Sequence, residues 1–310
     1  MDIADRIAGS VLGLALGDAV GAPFEGKRAA EVPDPLPALE LPWMGLPPGS
    51  TTDDTAMARN LVRSLTARGE LDPDDLVARH LAWYRSGPPD VGALTRRVLS
   101  RVDRGEDASE AARSVWEERG PEVSAGNGSV MYCAPLGLAY ANRAEELLEV
   151  APKLSALTHY DERCRTAVLA VTVAIAALAR GQSSEGAVGA AFLAVEDGEG
   201  GEELEYLVEM AGVGRPIDGP DQGFCLFTAG VALQSLLGTG DFEVEISRVV
   251  ALGGDTDTNA AVAGALLGTV VGENGLPQVW LDRLRDLMAI RAEALALVTP
   301  ARRSSRSLRG

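Results

Sequence analysis

The chain has 310 residues, 46% hydrophobic and 24% charged, with a formal net charge of −17. That balance suits a globular protein with room for a large core, and the acidic field repels phosphate backbones, which excludes duplex nucleic acid as a general partner. Three isolated cysteines without a CxxC pair, and an N-terminus lacking the basic flank and cleavage site of a secretory signal, fit a reducing cytoplasm.

Aromatic residues are only 5% while the chain carries 35 glycines, so the core is expected to consist of closely approaching helices with small residues at their contacts. Residues 2–22 form the first predicted helix, with Gly9, Gly13, Gly17 and Gly21 along one face. A glycine inside a helix costs about 1 kcal/mol relative to alanine. Four of them therefore imply close approach of a second helix or a ligand. Pro23 ends this helix and leaves Glu25 in the following loop.

Residues 31–49, rich in proline and containing Trp43 and Met44, read as an irregular surface excursion. Helical periodicity follows over 54–68, 73–86, 90–103, 107–119, 129–141, 143–155, 161–180, 184–195 and 202–212. The acidic, glycine-rich tract Glu196 to Glu203 reads as a flexible loop, and 213–223 as a second loop. Helices resume over 224–237, 243–251, 257–272 and 276–298. No run alternates as a strand does. The apolar stretches 167–179 and 260–272 fall short of the roughly 20 residues that span a bilayer and read as buried helices. The expectation is an all-α protein, one compact multi-helical domain over 1–300, followed by a basic, disordered tail at 301–310.

Two predicted helix starts carry the same chemistry. Thr52, Asp53, Asp54 and Thr55 precede one helix, and Asp255, Thr256, Asp257 and Thr258 precede another. Thr and Asp are good N-caps, which accounts for one such residue per helix. Paired carboxylates with hydroxyls at both starts exceed what capping needs. Several carboxylates in one pocket repel one another unless cations neutralise them. An all-oxygen set suits Mg²⁺, Mn²⁺ or Ca²⁺, whereas two histidines, His80 and His159, are too few for a dedicated Zn²⁺ cage.

The segments GSVLGLALGDAVGAPFEG (9–26), STTDDTAM (50–57), GNGSVM (126–131), LTH (157–159) and GGDTDTNAAVAGALLG (253–268) together resemble the ADP-ribosylglycohydrolases. The motifs span most of the chain in the order that family shows. The resemblance implies an all-α fold and a binuclear Mg²⁺ or Mn²⁺ centre, with Thr52, Asp53, Asp54, Asp255, Asp257 and Thr258 at the ligand positions. It also implies hydrolysis of the N- or O-glycosidic bond joining ADP-ribose to a protein side chain or small conjugate. Glu25 matches an acidic residue assigned either to acid/base work or to gating. With Asp54 and Asp257 it makes up the expected catalytic set.

Cleaving a ribosyl bond builds positive charge at the anomeric carbon, so the site must hold the sugar, activate water and protonate the leaving group. Gly126, Asn127, Gly128, Ser129 and Met131 are expected to open a helix whose free amides suit an anion, and the resemblance assigns this loop to the diphosphate and adjoining ribose. His159 has three readings, a cap of the following helix, a core residue or a ligand contact, the last being what the matching TH motif of the family implies. Tyr132 stands where many of those proteins carry Arg, removing a fixed positive charge from that loop. Trp43, Tyr160, Phe224 and Phe227 are aromatic candidates for adenine stacking, with core packing the more frequent alternative. Two other classes stay open: an ADP-ribose-binding protein without turnover, and a metal phosphohydrolase that cleaves the diphosphate.

Overall fold

Side-chain caps set seven of the fifteen α-helix starts among the described residues. In this computed structural model, which describes residues 1–298, helix α1 (Ile3–Gly21) starts where the Asp2 side chain accepts the amide of Asp5. Helix α2 (Asp53–Arg68) starts at the Thr52 cap and stops at Gly69, whose positive φ ends it. Asp72 and Asp107 cap α3 (Pro73–Arg85) and α5 (Ala108–Arg119), on either side of α4 (Ala93–Val102). After α6 (Ala134–Ala139) come α7 (Ala144–Ala156), α8 (Glu162–Ala179), α9 (Ser184–Val195) and α10 (Gly201–Gly212). The remainder is α11 (Cys225–Ser235), α12 (Phe242–Val250), α13 (Thr256–Val271), α14 (Gln278–Arg283) and α15 (Leu287–Ala296). The fold is all-α, as expected. Among the described residues there is no extended strand, only isolated bridges. The tail at 301–310 lies outside the described residues.

Four local expectations change. The expected helix at 129–141 does not begin until Ala134, so the Gly126 loop is a series of turns instead of a helix N-terminus. The expected helix at 276–298 breaks into α14 and α15 where Asp286 turns left-handed and the Arg285 amide bonds the Gly49 carbonyl at 2.9 Å. The tract Glu196 to Glu203 is a tight turn running into α10, tied down by Thr166 Oγ1 donating to the Glu199 carbonyl at 2.8 Å. Residues 31–49 are irregular, but Ala38, Leu39 and Trp43 are buried and Arg283 Nη1 bonds the Ala38 carbonyl, so the segment is packed down rather than looped out.

The core axis is the pairing of α1 with α13. Gly9, Gly13, Gly17 and Gly21 lie against backbone atoms of Gly268, Gly264, Ala260 and Thr256, with no space for a Cβ at any of them. Gly264 and Gly268 return the same fit against Gly13 and Gly9. The glycine face thus serves helix contact and not ligand approach. Ser10 Oγ donating to the Ala265 carbonyl (3.0 Å) and Arg6 donating to the Thr269 carbonyl (3.0 Å) lock the register. Residues 3–24 are long and apolar enough to cross a membrane by length and composition, yet they are almost wholly buried in this bundle.

Candidate active site

The glycine seam delivers two chemical segments to one place. Gly21 packs on the backbone of Thr256 and Asp257, and Thr256 Oγ1 donates to the Gly21 carbonyl at 2.9 Å. Beyond the helix, Gly26 and Gly254 are cross-linked: Gly26 N donates to the Gly254 carbonyl, and Gly254 N to the Lys27 carbonyl, both at 2.8 Å. Gly253 and Gly254 have φ of 72° and 75°, a backbone that favours glycine. The Glu25 turn is therefore fastened directly to the start of α13. Asp255 occupies the N-cap position there yet makes no capping bond, which leaves its carboxylate for other work.

The start of α2 closes the other side. Thr52 is the cap, its Oγ1 accepting the Asp54 amide at 3.2 Å while donating to Asp54 Oδ2 at 3.1 Å. Thr258 Oγ1, from the other block, also donates to Asp54 Oδ2, at 3.4 Å. One carboxylate oxygen thus joins the two motifs. Asp54 Oδ1 and Asp257 Oδ1 are buried without a hydrogen-bond partner. Asp53 accepts the Gly92 amide at 3.1 Å and hydrogen-bonds Asp90.

The third component is the glycine loop. It is held on α11 by bonds from Asn127 N to the Gly223 carbonyl and from Cys225 N to the Ala125 carbonyl, both 3.0 Å. The Asn127 amide donates to Asp255 Oδ2 and to Thr228 Oγ1, both at 2.9 Å, so Asn127 orients a carboxylate. A Cβ on Gly128 would collide with the His159 ring, and His159 Nδ1 bonds Thr158 Oγ1 at 2.9 Å. Burial pushes the His159 pKa down to about 4, which keeps the ring neutral.

These segments surround a cleft of about 750 Å³. Glu25, Asp53, Asp255, Asp257 and Thr258 line one end, and Gly126, Asn127, Gly128, Met131 and His159 line the wall beside them. Thr52 and Asp54 lie buried beneath it. Ser129 does not reach the cleft: it is fully buried and its hydroxyl pairs with Ser155 Oγ at 2.9 Å. Tyr132 is also fully buried, its ring edge-on to His80 at 5.1 Å, so it adds nothing to the cleft wall. Of the aromatic candidates only Phe224 lines the cleft, with the Arg163 guanidinium 5.6 Å from its ring. Phe227 packs behind it, Tyr160 packs on Trp116, and buried Trp43 hydrogen-bonds Glu25.

Two further acidic residues, neither among the expected site residues, border the site. Asp90, on the turn before α4, lines the cleft beside Asp53, and Asp18 of α1 lies fully buried under α2. Burial, then the nearby charges, hold the carboxyls of Asp53, Asp54 and Asp257 well above the ordinary range. Glu25, at the exposed rim, is pushed up to about 7 by partial desolvation and by Asp90 and Asp255, against the Trp43 hydrogen bond. Carboxylates crowded this way demand either protons or cations.

The ADP-ribosylglycohydrolase family model matches residues 1–306. The chain belongs to the ADP-ribosylglycohydrolase family. It is 30% identical over 284 residues to the ADP-ribosyl-[dinitrogen reductase] glycohydrolase of Rhodospirillum rubrum, with 90% of each chain covered. It is 26% identical over 315 residues to an ADP-ribosylarginine hydrolase of Serratia proteamaculans, covering 96% of this chain and 80% of the other. A solved chain of an "ADP-ribosylglycohydrolase-related protein complex" superposes with a TM-score of 0.80 at 35% identity, covering 96% of this chain and 98% of that one. As a member of this family of ADP-ribosylglycohydrolases the protein is a hydrolase enzyme.

The donor set fits a hard divalent cation. It is all oxygen, it contains two buried carboxylate oxygens without partners, and its carboxyls repel one another. Among the described residues no three acidic, His or Cys side chains are drawn into a closed cage.

Proposed function

We propose that this ADP-ribosylglycohydrolase uses two Mg²⁺ or Mn²⁺ ions to cleave the N- or O-glycosidic bond between ADP-ribose and a protein side chain or small conjugate. The observation that carries the reading is the pair of buried, unpartnered oxygens, Asp257 Oδ1 on a residue lining a large cleft and Asp54 Oδ1 on one buried beneath it. Thr52, Asp53, Asp54, Asp255, Asp257 and Thr258 would hold the ions. When bound, the ions supply positive charge toward the sugar hydroxyls and lower the pKa of water nearby.

The chain's own residues do the rest. Asn127 fixes the rotamer of Asp255 through its amide, and Thr52 and Thr258 fix Asp54 through their hydroxyls. Gly126 and Gly128 keep the wall low, so that the ribose and diphosphate lie against backbone, with neutral His159 behind them. Glu25 stands at the rim, within the field of Asp90 and Asp255, where it passes a proton to the leaving group or takes one from the attacking water. Phe224 and Arg163, both in the cleft lining, offer a ring face and a cation to the nucleotide end.

Purified protein incubated with Mg²⁺ and ADP-ribosyl-arginine, ADP-ribosyl-serine or O-acetyl-ADP-ribose is expected to release ADP-ribose from at least one of them. AMP as the product would point to the diphosphate bond instead. Binding of ADP-ribose without release from any conjugate would make the protein a binder.

A further inference from the structure

Asp18 belongs to no carboxylate motif, yet it is fully buried and engages the first turn of α2 with both oxygens. Thr52 N donates to Oδ1 and Oδ2 at 3.0 Å, Thr55 N donates to Oδ2 at 3.1 Å, and Thr55 Oγ1 donates to Oδ2 as well. The first amides of a helix lack intrahelical acceptors, and an N-cap side chain, here Thr52 on the Asp54 amide, satisfies only one of them. A carboxylate from another helix takes those of Thr52 and Thr55. Asp53 lines the cleft, and Asp54 beneath it meets Thr258. Asp18 also sits between Gly17 and Gly21, the two seam glycines that rest on Ala260 and on Thr256 and Asp257. A single side chain therefore links the α1–α13 seam, which carries Asp255 and Asp257, to the helix that carries Asp53 and Asp54.

We infer that Asp18 is a positioning residue that sets the spacing between the two carboxylate blocks, and with it the affinity for the divalent cation, without being a ligand itself. The inference rests on the cation-site reading above, and the test separates the two.

Mn²⁺ is titrated calorimetrically into the metal-free full chain. Asp18→Asn keeps the side-chain shape but turns an amide N–H toward the donors of Thr52 and Thr55. It is expected to weaken Mn²⁺ binding by about tenfold or more. Thr55→Val removes one donor and leaves Asp18 charged, with an expected loss of about threefold, while Thr55→Ser binds as wild type does. Ser10→Ala, which breaks a buried bond remote from the site, is the structural control: a lower melting temperature with unchanged Mn²⁺ affinity. The electron paramagnetic resonance spectrum of bound Mn²⁺ should change in Asp18→Asn and not in Ser10→Ala. A folded Asp18→Asn variant that binds Mn²⁺ like wild type overturns the inference. If that variant does not fold, equal binding by Thr55→Val and Thr55→Ser overturns it. Absence of Mn²⁺ binding in wild type removes the cation reading itself, and this inference with it.

Discussion

Replacing Gly13 by alanine puts a methyl group where α1 meets the backbone of α13. Its nearest neighbours are the Gly264 carbonyl oxygen, the Gly264 carbonyl carbon at 3.1 Å and Gly268 Cα at 3.2 Å. None of these is a side chain that can rotate away, so the helices must separate. Overpacking costs about 1–3 kcal/mol and belongs at the upper end here. The intrinsic helix preference of alanine returns about 1 kcal/mol, leaving a net loss of about 2 kcal/mol. Gly189, on the exposed face of α9, has nothing within 4 Å of an added Cβ. There the same substitution should stabilise by up to about 1 kcal/mol. Urea denaturation of Gly13→Ala, Gly189→Ala and wild type reads both values. A neutral or stabilising Gly13→Ala would refute the close seam, and with it the account of how Glu25 and Asp257 are brought together.

The metal-free protein should lose stability as pH rises. Burial raises Asp18 from 3.8 to about 6, partial desolvation with the charges of Asp90 and Asp255 raises Glu25 from 4.5 to about 7, and Asp53, Asp54 and Asp257 move the same way. Stability from such groups is complete below about pH 4 and fades as pH climbs through about 6 to 7. Buried His80 and His159, lowered from 6.5 to about 3 and about 4, act oppositely: their contribution is complete above 6.5 and is lost as pH falls. The gap between denaturation midpoints in Mg²⁺ and in chelator should therefore be wider at pH 8 than at pH 5.5, and an equal gap would count against buried carboxylates as the cation site. Glu25→Gln should lower turnover on a conjugate by about 10²-fold or more while Mn²⁺ affinity, read by calorimetry, stays near wild type. Asp257→Ala should lose cation binding and activity together, since it removes a buried carboxylate whose Oδ1 has no protein partner. Unchanged Mn²⁺ affinity in that variant would remove it from the ligand set.

Helices were legible where their boundaries are local. The caps at Thr52, Asp72, Asp107 and Ser183 and the stop at Gly69 are written in neighbouring residues. The boundaries that moved are set from a distance. The break between α14 and α15 depends on Gly49, and the turns at 126–133 depend on bonds to Gly223 and Cys225. The candidate site was legible where chemistry repeats: both carboxylate blocks, Glu25 and the glycine loop meet at one cleft. Ser129 was misplaced because a run of motif residues does not reveal which side chain turns inward to Ser155. Asp90 lies outside every quoted segment, and Asp18, though inside the 9–26 segment, has no second carboxylate or hydroxyl beside it to mark it. Asp18 did leave a trace, as the one charge within the apolar, glycine-marked stretch Ile7 to Gly21.

The most direct measurement is release of ADP-ribose from its susceptible conjugate by one preparation as purified, after chelation, and after Mg²⁺ is restored. The account predicts turnover that disappears on chelation and returns with Mg²⁺, with ADP-ribose intact in the product. Undiminished turnover in chelator, from protein shown to be free of metal, would contradict it.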